Sequence, residues 1–347
     1  DSVASRGLGD VYKRQDRAGA LLLLRLHGFL EVCADLVFQC THVCEITVVR
    51  VKTLKKAAAA TLAAGTSALA WGYTERNNFQ LREYTLPLLE PGVLRERNEF
   101  RILHVSDLHM IPGQKEKVEF VSGLDALDPD LVINTGDNLS DLGGVPWVLD
   151  ALGPLLNRPG AFVFGTNDYW APRPVNPLKY LTGAKREPSY VDLPWEGMRA
   201  AFMERGWHDA THNRLEFKAS GVRLALAGVD DPHHDLDQYS EVAGAPNRDA
   251  DLAIGLLHAP YRRVLDAFEA DGYQLALAGH THGGQICLPG GRALVTNADI
   301  DRERASGLHR YGRMWMEVSN GLGQSKYAPV RLFCPPSASL IRVVERG

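Results

Sequence analysis

The sequence predicts an α/β fold built on a largely parallel sheet, and two features point there. From Phe100 onward, apolar β-rich runs alternate with segments whose apolar residues recur at helical spacing. The apolar runs end in Asp, Asn or His, and parallel α/β sheets present ligands at the carboxyl ends of their strands.

Taken in order, "FRILHVSDLHM" reads as a strand with a polar tip and "EKVEFVSGLDAL" as a helix. "PDLVINTGDNLS" is a second strand and tip, "VPWVLDALGPLL" a helix, and "GAFVFGTNDYW" a third strand and tip. Asp107, Asp137 and Asn167 thus fall at successive tips, spaced by about one βαβ unit of roughly thirty residues. The second half repeats the pattern. "VRLALAGVDDPHHD" ends in acids and histidines, "LAIGLLHAP" ends at His258, and "YQLALAGHTHGGQ" ends at His280 and His282. One Asp-x-His is ordinary turn composition, but such groups at every tip are not. Hard oxygens and imidazoles without cysteine suit Mn²⁺, Fe or Zn²⁺.

Composition narrows the class. With 347 residues, 45% hydrophobic and 23% charged, the chain suffices for one large domain or two small ones. A net charge of -4 and the lack of a Lys/Arg run give no sign of nucleic-acid binding.

The amino-terminal region reads differently. The first methionine is Met110, and "DVYKRQ" (Asp10 to Gln15) resembles the translated end of a transposase adaptor used in library preparation. Residues 1–50 are therefore expected to be non-native read-through, with a natural start at Val51. That boundary removes Cys33, Cys40 and Cys44, leaving Cys287 and Cys334, which form neither a disulfide framework nor a zinc-ligand pattern. Ala57 to Tyr73 is uncharged and mostly apolar and follows Lys52, Lys55 and Lys56. The segment is expected to be a signal peptide or membrane anchor, the alternative being a buried Ala-rich helix. At roughly 17 residues it sits at the short limit for a spanning helix. The flanking lysines would leave the following domain on the extracytoplasmic face of a bacterial inner membrane.

The blocks "DLH", "GDN", "GTND", "LLHAP" and "GHTHGGQ" resemble, in order and spacing, those of the calcineurin-like metallophosphoesterases. The chain is most similar to the bacterial membrane-associated or exported branch, the YkuE- and YaeI-like proteins. The resemblance runs from about Phe100 to the carboxyl terminus, through "GGQICLPG" and "VSNGLGQSKYAPVRLFCPPSASLIRV". It implies a four-layer α/β/β/α sandwich with a dinuclear metal centre at the strand tips, holding two divalent ions (Mn, Fe or Zn). By resemblance, Asp107, His109 and His282 hold the first ion, Asp137 bridges, and His258 and His280 hold the second. The implied activity is hydrolysis of a phosphoester, most simply a phosphodiester, by a hydroxide activated between two metals. The domain reading is then 51–76 as signal or anchor, 77–99 as connector and edge strand, and 100–347 as the metallophosphoesterase domain. Location points to phospholipid or other envelope phosphoesters as substrate, with the membrane as a partner through the amino-terminal segment. The alternative is a metal-binding, catalytically weak protein that recognises phosphorylated envelope components. An amidase or nuclease on the same fold is a third, because fold does not fix function.

The third block departs from the family. There it is Gly-Asn-His-Asp or Gly-Asn-His-Glu, with Asn on the second metal and His facing the substrate. Here it is Gly165-Thr166-Asn167-Asp168, which puts Thr166 in the ligand position and Asn167 in the histidine position. A neutral hydroxyl is a poor ligand, so either the second site is weakened or the loop shifts and Asn167 binds. Asn167 is the expected ligand, and Asp168 is expected to hold the loop in shape. Among other residues, His233 and His234 after "GVDDP" are expected in a solvated loop, the alternative being a place over the metal centre where they compensate for the missing histidine, and His104 is expected as a packed histidine. Tyr169 and Trp170 either stack on substrate or cap the core.

Overall fold

The computed structural model describes residues 45–174, 191–324 and 326–347. The chain divides into two compact units, Asp1–Ser67 and Ala68–Gly347. The first is described only from Glu45, where helix α1 (Glu45–Glu75) begins. Most of the expected read-through, residues 1–44, lies outside the described residues, and α1 passes through Val51 without a break.

The apolar stretch Ala57 to Tyr73 is helical, but the spanning-anchor reading of it is not supported. No described helix is long and apolar enough to cross a membrane. The reason is compositional: the stretch is dominated by Ala with Gly and Thr, whose small side chains carry little apolar area. Nor is it a buried helix, since residues 56–67 are exposed.

The second unit holds two six-stranded sheets. The elements after α1 are β1 (Gln80–Leu89), β2 (Phe100–Val105), α2 (Lys115–Gly123), β3 (Leu131–Asn134), α3 (Gly144–Leu152), β4 (Gly160–Phe162) and α4 (Thr166–Tyr169). There follow α5 (Trp195–Glu204), β5 (His208–Asp209), β6 (Asn213–Ala219), β7 (Val222–Gly228), β8 (Leu252–Leu256), α6 (Arg262–Asp271) and β9 (Leu275–Ala278). The chain ends with β10 (Cys287–Leu288), β11 (Arg292–Ala293), β12 (Gly307–Tyr311), β13 (Met314–Val318) and β14 (Ser337–Glu345).

The first sheet has the order β1-β14-β2-β3-β4-β5 and the second β12-β13-β9-β8-β7-β6. Strands β2 to β5 run parallel, as do β7, β8, β9 and β13, so the ligand-bearing tips of each sheet share one end. Antiparallel pairing enters where β14 returns beside β2 and at the β6 and β12 edges.

Alternation along the strands builds the layers. Phe100 and Ile102 of β2 pack with Ile133, Leu226, Ile254, Leu277 and Ile341 in one core between the sheets. Leu103 and Val105 face the other way, onto Val121, Val148 and Phe202 of the helices. Behind the second sheet, Val264, Leu265 and Phe268 of α6 cover Ala253, Ala276 and Met316. The result is the expected α/β/β/α sandwich, with one apolar slab between the sheets and one outside each.

Candidate metal centre

The strand ends put five of the seven expected ligands in one place. Asp107, His109 and His282 present ligand atoms within 4.8 Å of one another, and so do Asp107, Asp137 and His258. The two groups share Asp107. Asp137 Oδ2 lies 3.5 Å from His109 Nε2 and 3.4 Å from His258 Nε2, between a histidine of each group. His280 stands beside them, its ring centroid 5.2 Å from that of His258. Its Nε2 lies 3.1 Å from the Asn297 carbonyl, an acceptor, and 3.3 Å from the Asn297 side-chain amide nitrogen, a donor.

Backbone conformation is part of the assembly. Asp107, His109, Asp137, His280 and His282 all adopt positive φ, between 44° and 68°. Non-glycine residues seldom do so, and such conformations persist only where surrounding structure enforces them. Here the Asp107 N–H donates to the Gly136 carbonyl at 2.8 Å and the His109 N–H to the Asp137 carbonyl at 2.9 Å. The close approach also needs glycine. A Cβ on Gly165 would sit 2.3 Å from Asp137 Oδ1, and one on Gly279 would sit 2.1 Å from Ser106 Oγ.

These residues fit divalent cations. His258 Nε2 is buried and has no hydrogen-bond partner, while His258 Nδ1 is engaged with the Thr135 carbonyl at 2.7 Å. A buried nitrogen aimed at a carboxylate without hydrogen-bond geometry has the arrangement of two ligands around a shared ion. Burial holds His109 and His280 at about 4, so both are neutral and able to ligate at physiological pH. Burial alone would raise Asp137 and lower His258. Their mutual attraction wins, holding the Asp137 carboxyl well below its usual range and the His258 imidazole well above.

Burial lifts the Asp107 carboxyl to about 6, with repulsion from Asp137 adding to it and His258 opposing. The ordinary unfolded value is about 3.9. Between these values the folded chain keeps a proton that the unfolded chain has released, so apo-protein stability falls as pH rises through the window. A cation must displace that proton. Mn²⁺ affinity is therefore expected to weaken by at least about tenfold per pH unit below 6, because Asp107 and the His258 imidazolium each hold a proton that a cation must displace. Calorimetric titrations at several pH values check this, and a flat profile from pH 5 to 7.5 would contradict it.

In the third block, Thr166 turns away from the ligand cluster. Its hydroxyl and its N–H both donate to the fully buried Asp231 carboxylate. Asn167 instead faces Asp137, donating its backbone N–H to Oδ1 at 2.8 Å and its side-chain amide to Oδ2 at 2.6 Å. Asp168 accepts from the N–H groups of Asp137, Asn138 and Gly165, tying this loop to the β3 tip.

His233 corrects an expectation. It is buried, not in a solvated loop, with its ring 4.3 Å from that of His280 and its Nδ1 2.9 Å from the Tyr261 hydroxyl. Burial, reinforced by His280, depresses it to about 2, so it is neutral. The "GVDDP" segment folds inward because Asp231 accepts both Thr166 and the His233 N–H. Tyr169 packs edge-on against Trp195 and beside Phe164, with its hydroxyl on Asp230; it caps the core.

Three supporting residues were not singled out by the sequence, although Asp231 lies among the acids of the "GVDDP" tip. Arg331, fully buried, places a guanidinium nitrogen 3.2 Å from His282 Nδ1 and also donates to the carbonyls of His282, Gly321 and Gly323. Ser140 Oγ lies 3.0 Å from His109 Nδ1. Asp231 is the third. The adjacency of Arg331 to the "FCPP" tail block was the other hint of a role.

Residues 100–284 match the family model described as calcineurin-like phosphoesterase. The phosphodiesterase YaeI of Escherichia coli (strain K12) is 27% identical over 300 residues, covering 83% of this chain and 97% of that protein. The uncharacterized protein YpbG of Bacillus subtilis (strain 168) is 26% identical over 300 residues, 83% of this chain and 96% of its own. An uncharacterized metallophosphoesterase of Aquifex aeolicus (strain VF5) is 25% identical over 291 residues, 80% and 97% respectively.

Proposed function

The chain belongs to the calcineurin-like phosphoesterase family, and on that premise we propose that it hydrolyses phosphodiesters of the cell envelope with two divalent cations. Phosphoric ester hydrolysis is the family's activity. The observation that carries the two-cation reading is the pair of ligand groups meeting at Asp107, with Asp137 Oδ2 between a histidine of each and His258 Nε2 unpartnered beside them. Cations bound there would supply Lewis-acid charge to the phosphoryl oxygens and lower the pKa of water.

The chain's own residues do the rest. Asp137 Oδ2, lying between His109 and His258, is the natural shared ligand. Asn167 is preferred to Thr166 as the amide-bearing ligand, because Thr166 is committed to Asp231 while the Asn167 amide already meets Asp137. Asp168 fixes the loop that carries it. No imidazolium stands at position 167 to protonate a leaving group. His233, neutral and hydrogen-bonded to Tyr261, is not a ready substitute.

The diester preference is supported by the named activity of the YaeI relative. The envelope location is motivated by Lys52, Lys55 and Lys56 ahead of an uncharged apolar stretch. The test is a panel on Mn²⁺-reconstituted protein: a nitrophenyl monoester, a bis-nitrophenyl diester and a lipid glycerophosphodiester. Faster turnover of diesters is expected, with the lipid ester among them. Preference for the monoester would refute diesterase activity. Bound ions without any turnover would favour the recognition-protein alternative.

A further inference from the structure

The inter-sheet core is apolar except near the strand tips, where it holds an unbroken chain of polar side chains. Glu317 of β13 faces His104 of β2, with Oε2 2.5 Å from Nδ1. His104 Nε2 is 2.8 Å from Thr135 Oγ1. The Thr135 hydroxyl donates to Ser106 Oγ at 2.7 Å, and the Ser106 hydroxyl donates to Asp107 Oδ2 at 2.7 Å. The other Glu317 oxygen accepts from Ser339 Oγ at 2.7 Å. Every member is buried, at 1% exposure or less.

Proton counting gives the chain a direction. An Asp107 carboxylate accepts only, and a hydroxyl has one proton. Ser106 spends its proton on Asp107, so it must accept from Thr135. Thr135 spends its own on Ser106, so it must accept from His104. That makes Nε2 of His104 a donor and assigns its protonated nitrogen. One further proton lies between His104 Nδ1 and Glu317, whichever atom holds it. From His104 Nε2 onward every donor therefore points toward Asp107, and the buried His104–Glu317 pair anchors the far end.

The consequence lies in which carboxylate oxygen is left for a cation: the His280 N–H reaches both, at 3.2 Å to Oδ1 and 3.1 Å to Oδ2, and only Oδ2 also takes the Ser106 hydroxyl. With Oδ2 occupied by Ser106, Oδ1 is the atom that faces His109 Nε2 at 4.0 Å and His282 Nε2 at 3.8 Å. Thr135 also holds the second group, since its carbonyl takes His258 Nδ1. We propose that Glu317, His104, Thr135 and Ser106 form a positioning relay that fixes Asp107 with Oδ1 toward the first cation. Thr135 is its hub, coupling the two ligand groups. The proposal presupposes that Asp107 is a metal ligand.

Calorimetric titration with Mn²⁺ alone tests it, without substrate. Outer partners of ligands are typically worth about 10- to 100-fold in metal affinity. Thr135→Val, which keeps shape and carbonyl but loses the hydroxyl, is expected to weaken the tighter site about tenfold. Ser106→Ala should do the same, the double variant should lose no more than either single, and Thr135→Ser should restore wild-type affinity. Wild-type affinity in Thr135→Val, additive losses in the double variant, or a Thr135→Ser as weak as the valine variant would each overturn the relay. Failure of the wild type to bind Mn²⁺ would instead remove the metal reading beneath it. The ¹⁵N shifts of His104 in the wild-type protein give a readout independent of any variant's folding. An unprotonated Nε2 there would refute the directed chain.

Discussion

Asp137→Asn is expected to bind less than one Mn²⁺ per chain and to lose on the order of 10³-fold or more in kcat/KM, since metal stabilisation of transition-state charge is worth several kcal/mol and each ~1.4 kcal/mol is tenfold. The substitution keeps size and removes one negative charge from a point between two histidines, 3.5 Å and 3.4 Å away. It also sets an amide against the Asn167 amide, which now donates to Asp137 Oδ2 at 2.6 Å. One of the two must turn, so the geometry suffers as well as the charge. His109→Ala removes a member of only one group and should retain the other cation. Elemental analysis of the purified variants separates the two outcomes. Two ions retained by the Asp137 variant would exclude it as the shared ligand.

The wild-type enzyme should show a steep dependence of rate on leaving-group pKa. General-acid help is worth about 10²- to 10⁴-fold, and it matters most when the departing alkoxide is basic. Position 167 carries an amide whose proton goes to Asp137, and His233, held at about 2, is neutral. Nitrophenolate leaves without a proton, so aryl esters should turn over well and alkyl esters poorly. Restoring the usual pair, with Thr166→Asn and Asn167→His, is expected to accelerate alkyl esters by about 10²-fold or more and aryl esters far less. The same double change frees Asp231 from the Thr166 hydroxyl, so metal content must be measured alongside rate. Equal acceleration of both ester classes at unchanged metal content would mean that a proton donor was already in place.

The strands carrying the site were legible because each is an apolar run ending in a polar tip, a pattern local to ten residues. The strands that were not foreseen are β5, β6 and β10 to β14, and none of them carries an expected ligand. β14 joins the first sheet between β1 and β2 although it lies more than two hundred residues away in the chain. Pairing at that range depends on which edge is left open, and no local pattern records that.

The same division runs through the site. The candidate ligands were local in part: Asp107, Asp137, His258, His280 and His282 stood out by residue type at strand tips, while the place of His109 in the set and the missing histidine of the third block were implied by the family resemblance. The choice between Thr166 and Asn167 was not local. It turns on Asp231, sixty-five residues further on, whose buried carboxylate draws the Thr166 hydroxyl away from the ligands. His233 reads as loop in sequence and is buried for the same reason, because its N–H is held by Asp231. Asp107 needed Glu317, two hundred and ten residues on, to complete the chain that orients it. Sequence by itself determined which atoms are available, since donor type and strand periodicity are properties of neighbouring residues. Only the tertiary structure decided where those atoms point. A buried polar group must find a partner once water is excluded, and the partner within reach is set by the packing of the two sheets.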